Sequence, residues 1–155
     1  MRAPKETEEQ RTQQLLQRWA EGKATLKEVR GYSDEELYAI ARTAWVYFYQ
    51  GKIPQARTLF QGLYAVNPVE PYFAKALGVI EFAAGNVQGA LSAWDVAIKL
   101  APNDAGVWVG RAEVKIASNS KASAVEDLRR AQALIGEDEK LKAKISALLQ
   151  TLTKK

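Results

Sequence analysis

The residues best suited to acid–base chemistry are three acidic groupings, Glu35-Glu36, Glu126-Asp127 and Glu137-Asp138-Glu139. Two carboxylates flanking a bond can act as general acid and general base. Each of these groupings, however, falls near an expected helix start or on an expected exposed face, where acidic residues complement the helix dipole. The chain contains no His and no Cys, which removes imidazole bases, thiolate nucleophiles, disulfide staples and the commonest metal ligands. It shows no glycine-rich phosphate loop and no metal-ligand spacing. The expectation is a protein that is not an enzyme and uses no cofactor or metal.

The chemistry that remains is apolar contact, and its positioning is periodic. Ala56, Ala90 and Ala124 lie 34 residues apart, as do Gly51, Gly85 and Asn119, and Pro68, Pro102 and Gly136. Bulky residues keep the register at Phe60, Trp94 and Leu128, and small ones at Ala44, Gly78 and Ala112. Within each unit the order is a helix-length apolar segment, a Gly or Asn, a second helix-length segment with Ala and a bulky residue four apart, then Pro or Gly. Gly51 and Gly85 supply the left-handed residue that ends the first helix, and Pro68 and Pro102 stop the second. The small residues let paired helices approach while Phe60, Trp94 and Leu128 fill the space beside them. This period and these residue types are those of the tetratricopeptide repeat.

The fold class expected is therefore all-α: an α-solenoid of three tetratricopeptide helix-turn-helix repeats over 37–138. A helical segment, 1–36, precedes them and a capping helix with a basic tail, 139–155, follows, all within one domain. Leu141, Ile145, Leu148, Leu149 and Leu152 form the single apolar stripe of that last helix. Glu6 to Glu21 reads as a polar helix closed by Gly22, with Leu15, Leu16 and Trp19 as its only anchors; these are the candidate dimerisation residues. A turn containing Leu26 and Val29 follows, and Ser33 with Glu36 forms a capping box that opens the first repeat.

The first helix of repeat one carries more apolar surface than one core needs. Ile40, Ala44 and Tyr47 occupy the packing register, while Tyr38, Ala41, Trp45 and Phe48 form a second stripe. Equivalent positions are Tyr72, Lys75, Val79 and Phe82 in repeat two, and Gly106, Val109, Glu113 and Ile116 in repeat three. First-helix positions of this kind line the concave side of a repeat superhelix. A groove walled by Tyr38, Ala41, Trp45, Phe48, Tyr72, Val79, Phe82, Val109 and Ile116, with Lys75 and Glu113 as rim contacts, suits an extended apolar peptide. The Lys and Asn of a carboxylate-clamp groove are absent, since Ala41 and Trp45 stand in their places.

With 47% hydrophobic and 26% charged residues among 155, the composition is that of a globular protein. No apolar run has the length of a membrane span and the first residues do not resemble a signal peptide, so the expected location is the cytoplasm, without membrane insertion. The net charge of +4 is concentrated after residue 105, in Arg129, Arg130, Lys140, Lys142, Lys144, Lys154 and Lys155. Interleaved Glu126, Asp127, Glu137, Asp138 and Glu139 weaken that field, so the tail is read as a solvated helix surface and no nucleic acid is expected.

The stretch Gly22 to Leu152 resembles class II type III secretion chaperones, the tetratricopeptide chaperones of bacterial translocator proteins. The segments that carry the resemblance are Gly31-Tyr-Ser-Asp-Glu-Glu-Leu-Tyr38, the Tyr49-Gln-Gly-Lys52 turn with Ala56 and Leu59-Phe60-Gln61, Pro71-Tyr-Phe73 with Leu77-Gly78, and Glu137-Asp-Glu-Lys-Leu-Lys142. The resemblance implies a chaperone that keeps hydrophobic translocators soluble by holding an extended segment of PxLxxP type in the concave groove, walled by Tyr38, Trp45, Phe48, Tyr72 and Phe82. It also implies homodimers to which the N-terminal segment contributes. A general scaffold adaptor joining folded proteins is the alternative from the repeat pattern alone.

Overall fold

The computed structural model describes residues 4–154, so Lys155 of the charge pattern lies outside the described residues. The elements are helices throughout: α1 Glu8–Ala20, α2 Leu26–Arg30, α3 Asp34–Tyr49, α4 Ile53–Val66, α5 Pro71–Ala83, α6 Val87–Leu100, α7 Ala105–Ala117, α8 Lys121–Leu134 and α9 Glu139–Thr153. Helices α3/α4, α5/α6 and α7/α8 are the three hairpins of the 34-residue period, and each packs on the next. Helix α5 also packs directly on α7, so the row α3, α5, α7 is the closely set inner one and α4, α6, α8 form the outer one.

Local chemistry sets the helix ends. Gly51 and Gly85 adopt left-handed φ of 78° and 80°, and Asn119 does so at 63° as the only such non-glycine among the described residues. Asn tolerates that region because its short amide can bond locally. Ser33 and Glu36 form the expected capping box of α3, and Thr7 with Gln10 forms another on α1. Asn86, Asp104 and Asp138 cap α6, α7 and α9 through their side chains.

The repeats are joined by size complementarity. Trp94 of α6 is almost fully buried, and its ring lies between two glycines of the inner row. A Cβ added to Gly78 of α5 would stand 2.5 Å from Trp94 Cε2, and one on Gly110 of α7 would stand 2.4 Å from Cζ2. Phe60 and Leu128, smaller rings or chains in the same register, are buried where the inner row carries alanine, at Ala44 and Ala112.

One stripe of each inner helix faces the preceding hairpin. Phe73, Ala76 and Ile80 of α5 and Val107, Gly110 and Val114 of α7 are buried in this way. The same register on α3 is Ala39, Arg42 and Val46, and all three are exposed because no hairpin precedes them. The opposite end is closed: Ile145 and Leu149 of α9 are buried against α8.

Two buried carboxylates tie helices together, Glu81 between the first and second hairpins and Asp127 within the third. Glu81 accepts from Arg57 Nε at 2.6 Å and from Asn86 Nδ2 at 2.7 Å. Asp127 receives a bidentate pair from Arg111, at 2.9 and 2.8 Å, and Lys115 Nζ at 2.8 Å, while Arg111 also reaches Asp95 at 2.9 Å. Hydrogen bonding to Asp127 first, and to Asp95 after it, raises the Arg111 guanidinium above its ordinary range. The expectation that Glu126-Asp127 sits on an exposed face is corrected for Asp127, which is buried because its carboxylate is neutralised by two cations from α7.

The glycines make a direct test of the register. Gly110→Ala drives a methyl into the indole and is expected to cost about 1–3 kcal/mol. Gly62→Ala, in the interior of α4 with nothing within 4 Å of the added carbon, is expected to stabilise by about 0.5–1 kcal/mol through helix propensity. Denaturant midpoints of the two variants should therefore move in opposite directions; movement in the same direction would contradict the Trp94 sandwich.

Candidate peptide-binding groove

Helix α5 shows how the packing creates the groove. Its Ala74, Leu77 and Glu81 line an outer recess with α4 and α6, and its Phe73, Ala76 and Ile80 are buried against the first hairpin. Tyr72, Lys75, Val79 and Phe82 are left on the inner side, where Val79 and Phe82 are 38% and 39% exposed. Tyr38 of α3, at 37%, continues that surface.

The wall is one connected aromatic array. Tyr38 meets Tyr72 edge-on with ring centroids 5.9 Å apart, and Trp45 lies 5.3 Å from Phe48 and 5.1 Å from Phe60. Trp45 Nε1 donates to Tyr72 Oη at 2.6 Å, tying the inner helices of repeats one and two together. Edge-to-face contacts of this kind fix ring orientation beyond what burial alone requires. Tyr49, 81% exposed, stacks against Trp45 and Phe48 and extends the array. It stands four residues after Trp45, so its place in the stripe was legible from spacing, although the expected wall stopped at Phe48.

Several expected wall residues are placed differently. Ala41 is 1% exposed and Val109 3%; both are core, Ala41 with Leu37 and Ala44, and Val109 with Ala105 and Ala112. Ile40, expected in the packing register, is instead 41% exposed, because it sits where a preceding second helix would cover it. Trp45, Phe48, Tyr72 and Ile116 are half-buried and pack on the core clusters while turning an edge outward.

The rim contacts are ion-paired across the inner row. Lys75 Nζ lies 2.9 Å from Asp104 Oδ2, while Asp104 Oδ1 accepts the Gly106 N–H. Glu113 pairs with Lys144 of α9. The inner face is thus aromatic at the α3/α5 end and polar at the α7/α9 end. On the outer face, the recess between α4 and α6 measures about 320 Å³. Ala74 stands there in the register that Trp108 occupies one repeat later, where the Trp108 indole donates to Pro102 O and packs beside Arg111 and Arg130.

The N-terminal helix remains uncovered. Helix α1 packs on α2, and α2 on α4; none of its residues is fully buried, and Leu16 and Trp19 are 45% and 49% exposed. Among the described residues no helix is long and apolar enough to cross a membrane, and no cluster of three or more acidic ligands forms.

With this geometry in place, comparison with known proteins defines the class. Residues 41–105 match the tetratricopeptide repeat family. The solved structure of the type III secretion translocator chaperone SycD of Yersinia enterocolitica is 21% identical, with a TM-score of 0.79 over 83% of this chain and 98% of that one. SycD in complex with a peptide of the translocator YopD is 22% identical, with a TM-score of 0.72 over 77% and 94%. PcrH bound to the chaperone-binding region of PopD is 21% identical, with a TM-score of 0.74 over 79% and 95%; PcrH is a Pseudomonas aeruginosa protein. A comparison with curated proteins finds no match. Residues 41–105 carry tetratricopeptide repeats, and the chain has the fold of these translocator chaperones.

The two kinds of wall residue separate by stability. Trp45→Ala removes a ring packed on Phe60 and leaves the Tyr72 hydroxyl without its donor, so a loss of about 2–4 kcal/mol is expected. Phe82→Ala, at an exposed position, should cost less than about 1 kcal/mol. Chemical denaturation of both variants measures the difference.

Proposed function

We propose that the protein is a non-enzymatic, cytoplasmic chaperone that binds an extended apolar segment of a translocator-type client and keeps that client soluble before type III secretion. The observation that carries this reading is the set of large apolar side chains, Tyr38, Tyr49, Val79 and Phe82, left exposed on the inner helices α3 and α5. Monomeric proteins rarely leave such a contiguous surface uncovered without a partner. An extended peptide is favoured over a folded partner because the surface runs along the inner side of a curve, where a strand-like chain fits. The neighbours caught with translocator peptides have the same fold.

The groove residues assigned to this role are Tyr38, Tyr49, Val79 and Phe82 as open contact surface, with Trp45, Phe48, Tyr72 and Ile116 as the half-buried layer that holds them. Lys75 and Glu113 act at the rim through ion pairs that a bound segment can exchange. Ala41 and Val109 have no contact role.

A homodimer is part of the same reading. A 13-residue helix with no buried residue is marginal by itself, and Leu16 and Trp19, with the half-buried Leu15, form its apolar side. Sedimentation of the full chain should show a dimer that a form starting at Lys23 does not make; identical protomer states in both would remove α1 from assembly.

The binding role is tested by the pair Tyr38→Ala and Phe82→Ala. Exposed aromatic anchors in a groove contribute about 2 kcal/mol or more each, so affinity for a Pro/Leu-containing peptide should fall about a hundredfold or more in calorimetric titration. Helix content should be preserved by circular dichroism. Binding that survives while the fold collapses would show the face to be structural.

A further inference from the structure

The α3 end of the groove holds two hydrogen-bond donors, Arg42 and the Tyr72 hydroxyl, that have no acceptor among the described residues. Tyr38 and Arg42, one turn apart on α3, and Tyr72, in the first turn of α5, line a recess of about 440 Å³. The Tyr72 oxygen already accepts from Trp45 Nε1 at 2.6 Å, and among the described residues no acceptor takes the Tyr72 hydroxyl proton. Arg42 is exposed, and among the described residues it makes no ion pair, whereas Lys75 and Lys144, the other cations of the inner face, each have a carboxylate.

Arg42 also occupies a register that the other repeats use for packing. Its equivalents, Ala76 and Gly110, are small and buried; at the open end of the array the position is free to carry a long cation. The Glu70 carboxylate beside the recess is engaged with the Tyr72 backbone N–H at 3.4 Å and with the Tyr38 hydroxyl. Burial, and after it the Glu70 carboxylate, pushes the Tyr38 phenol above its ordinary range.

We propose that the recess of Tyr38, Arg42 and Tyr72 is a subsite for a carboxylate side chain, so that the bound segment carries an Asp or Glu beside its apolar anchors. This rests on the groove reading above and specifies its ligand. A guanidinium offers a planar fork that matches a carboxylate, and a phenol hydroxyl beside it supplies a further donor. The recess is open to solvent, which fits a side chain in mid-segment.

The test is fluorescence anisotropy with the full chain and short fluorescein-labelled, C-terminally amidated Pro/Leu peptides, each carrying one Glu scanned along its length, beside Gln counterparts. At one position the Glu peptide should bind about tenfold more tightly than its Gln partner, and added salt should weaken that advantage alone. Arg42→Gln should abolish the difference while leaving Gln-peptide affinity within about twofold, and Tyr72→Phe should reduce it. Equal affinities throughout the scan, an advantage that survives Arg42→Gln, or a preference seen only with a free terminal carboxylate would overturn the subsite. If Gln peptides bind and Phe82→Ala abolishes that binding, the groove stands while the subsite is judged on Glu against Gln alone; if no peptide binds, both fall.

Discussion

The spacing of the inner helices depends on one side chain, the indole of Trp94. It occupies the volume that two absent side chains release at Gly78 and Gly110, and so joins α6 to both α5 and α7. Each glycine in a helix interior costs about 1 kcal/mol relative to alanine, a cost that the close packing of a nearly buried indole offsets. Because α5 and α7 carry the middle of the groove, their separation also sets the reach of Lys75 to Asp104. The interior contact and the surface contact are thus parts of one geometry.

Charge works in the same way at the hairpin junctions. Glu81 and Asp127 are buried, and each has its carboxylate oxygens satisfied by groups from other helices. Such pairs add little to net stability compared with apolar packing, but a wrong register would strand a buried charge at a cost of several kcal/mol. Glu81 with Arg57, and Arg111 with Asp95, define which hairpin face meets which, while Asp127 fixes the pairing of α7 with α8.

The two ends of the array differ for a physical reason. A repeat exposes one apolar face unless another element covers it, and α9 covers the last one with Ile145 and Leu149. The first hairpin has no comparable cover, since α2 packs on α4 and reaches α3 through the Lys27–Asp34 ion pair, and α1 packs on α2. Ile40, Val46 and Tyr49 are exposed there, and Arg42 stands among them where the other repeats have Ala76 and Gly110. The open end therefore lies next to the aromatic end of the groove.

The sequence by itself determined the repeat: the 34-residue spacing of small, bulky and turn residues specified helix ends, hairpin order and the buried Ala and Phe60/Trp94/Leu128 positions, because these follow from local backbone geometry and from contacts within one period. It also pointed to the inner helices as the place of the proposed groove. What it left open was the face of each first-helix residue within about one position, which is why Ala41 and Val109 were expected on the wall and Ile40 in the core. It likewise did not show that Asp127 is buried or that Trp45 is held by Tyr72. Those outcomes depend on how far each helix turns against its neighbours. Only the tertiary structure decides that rotation, because it is set by the fit of Trp94 and Phe60 between hairpins and by ion pairs between residues distant in sequence.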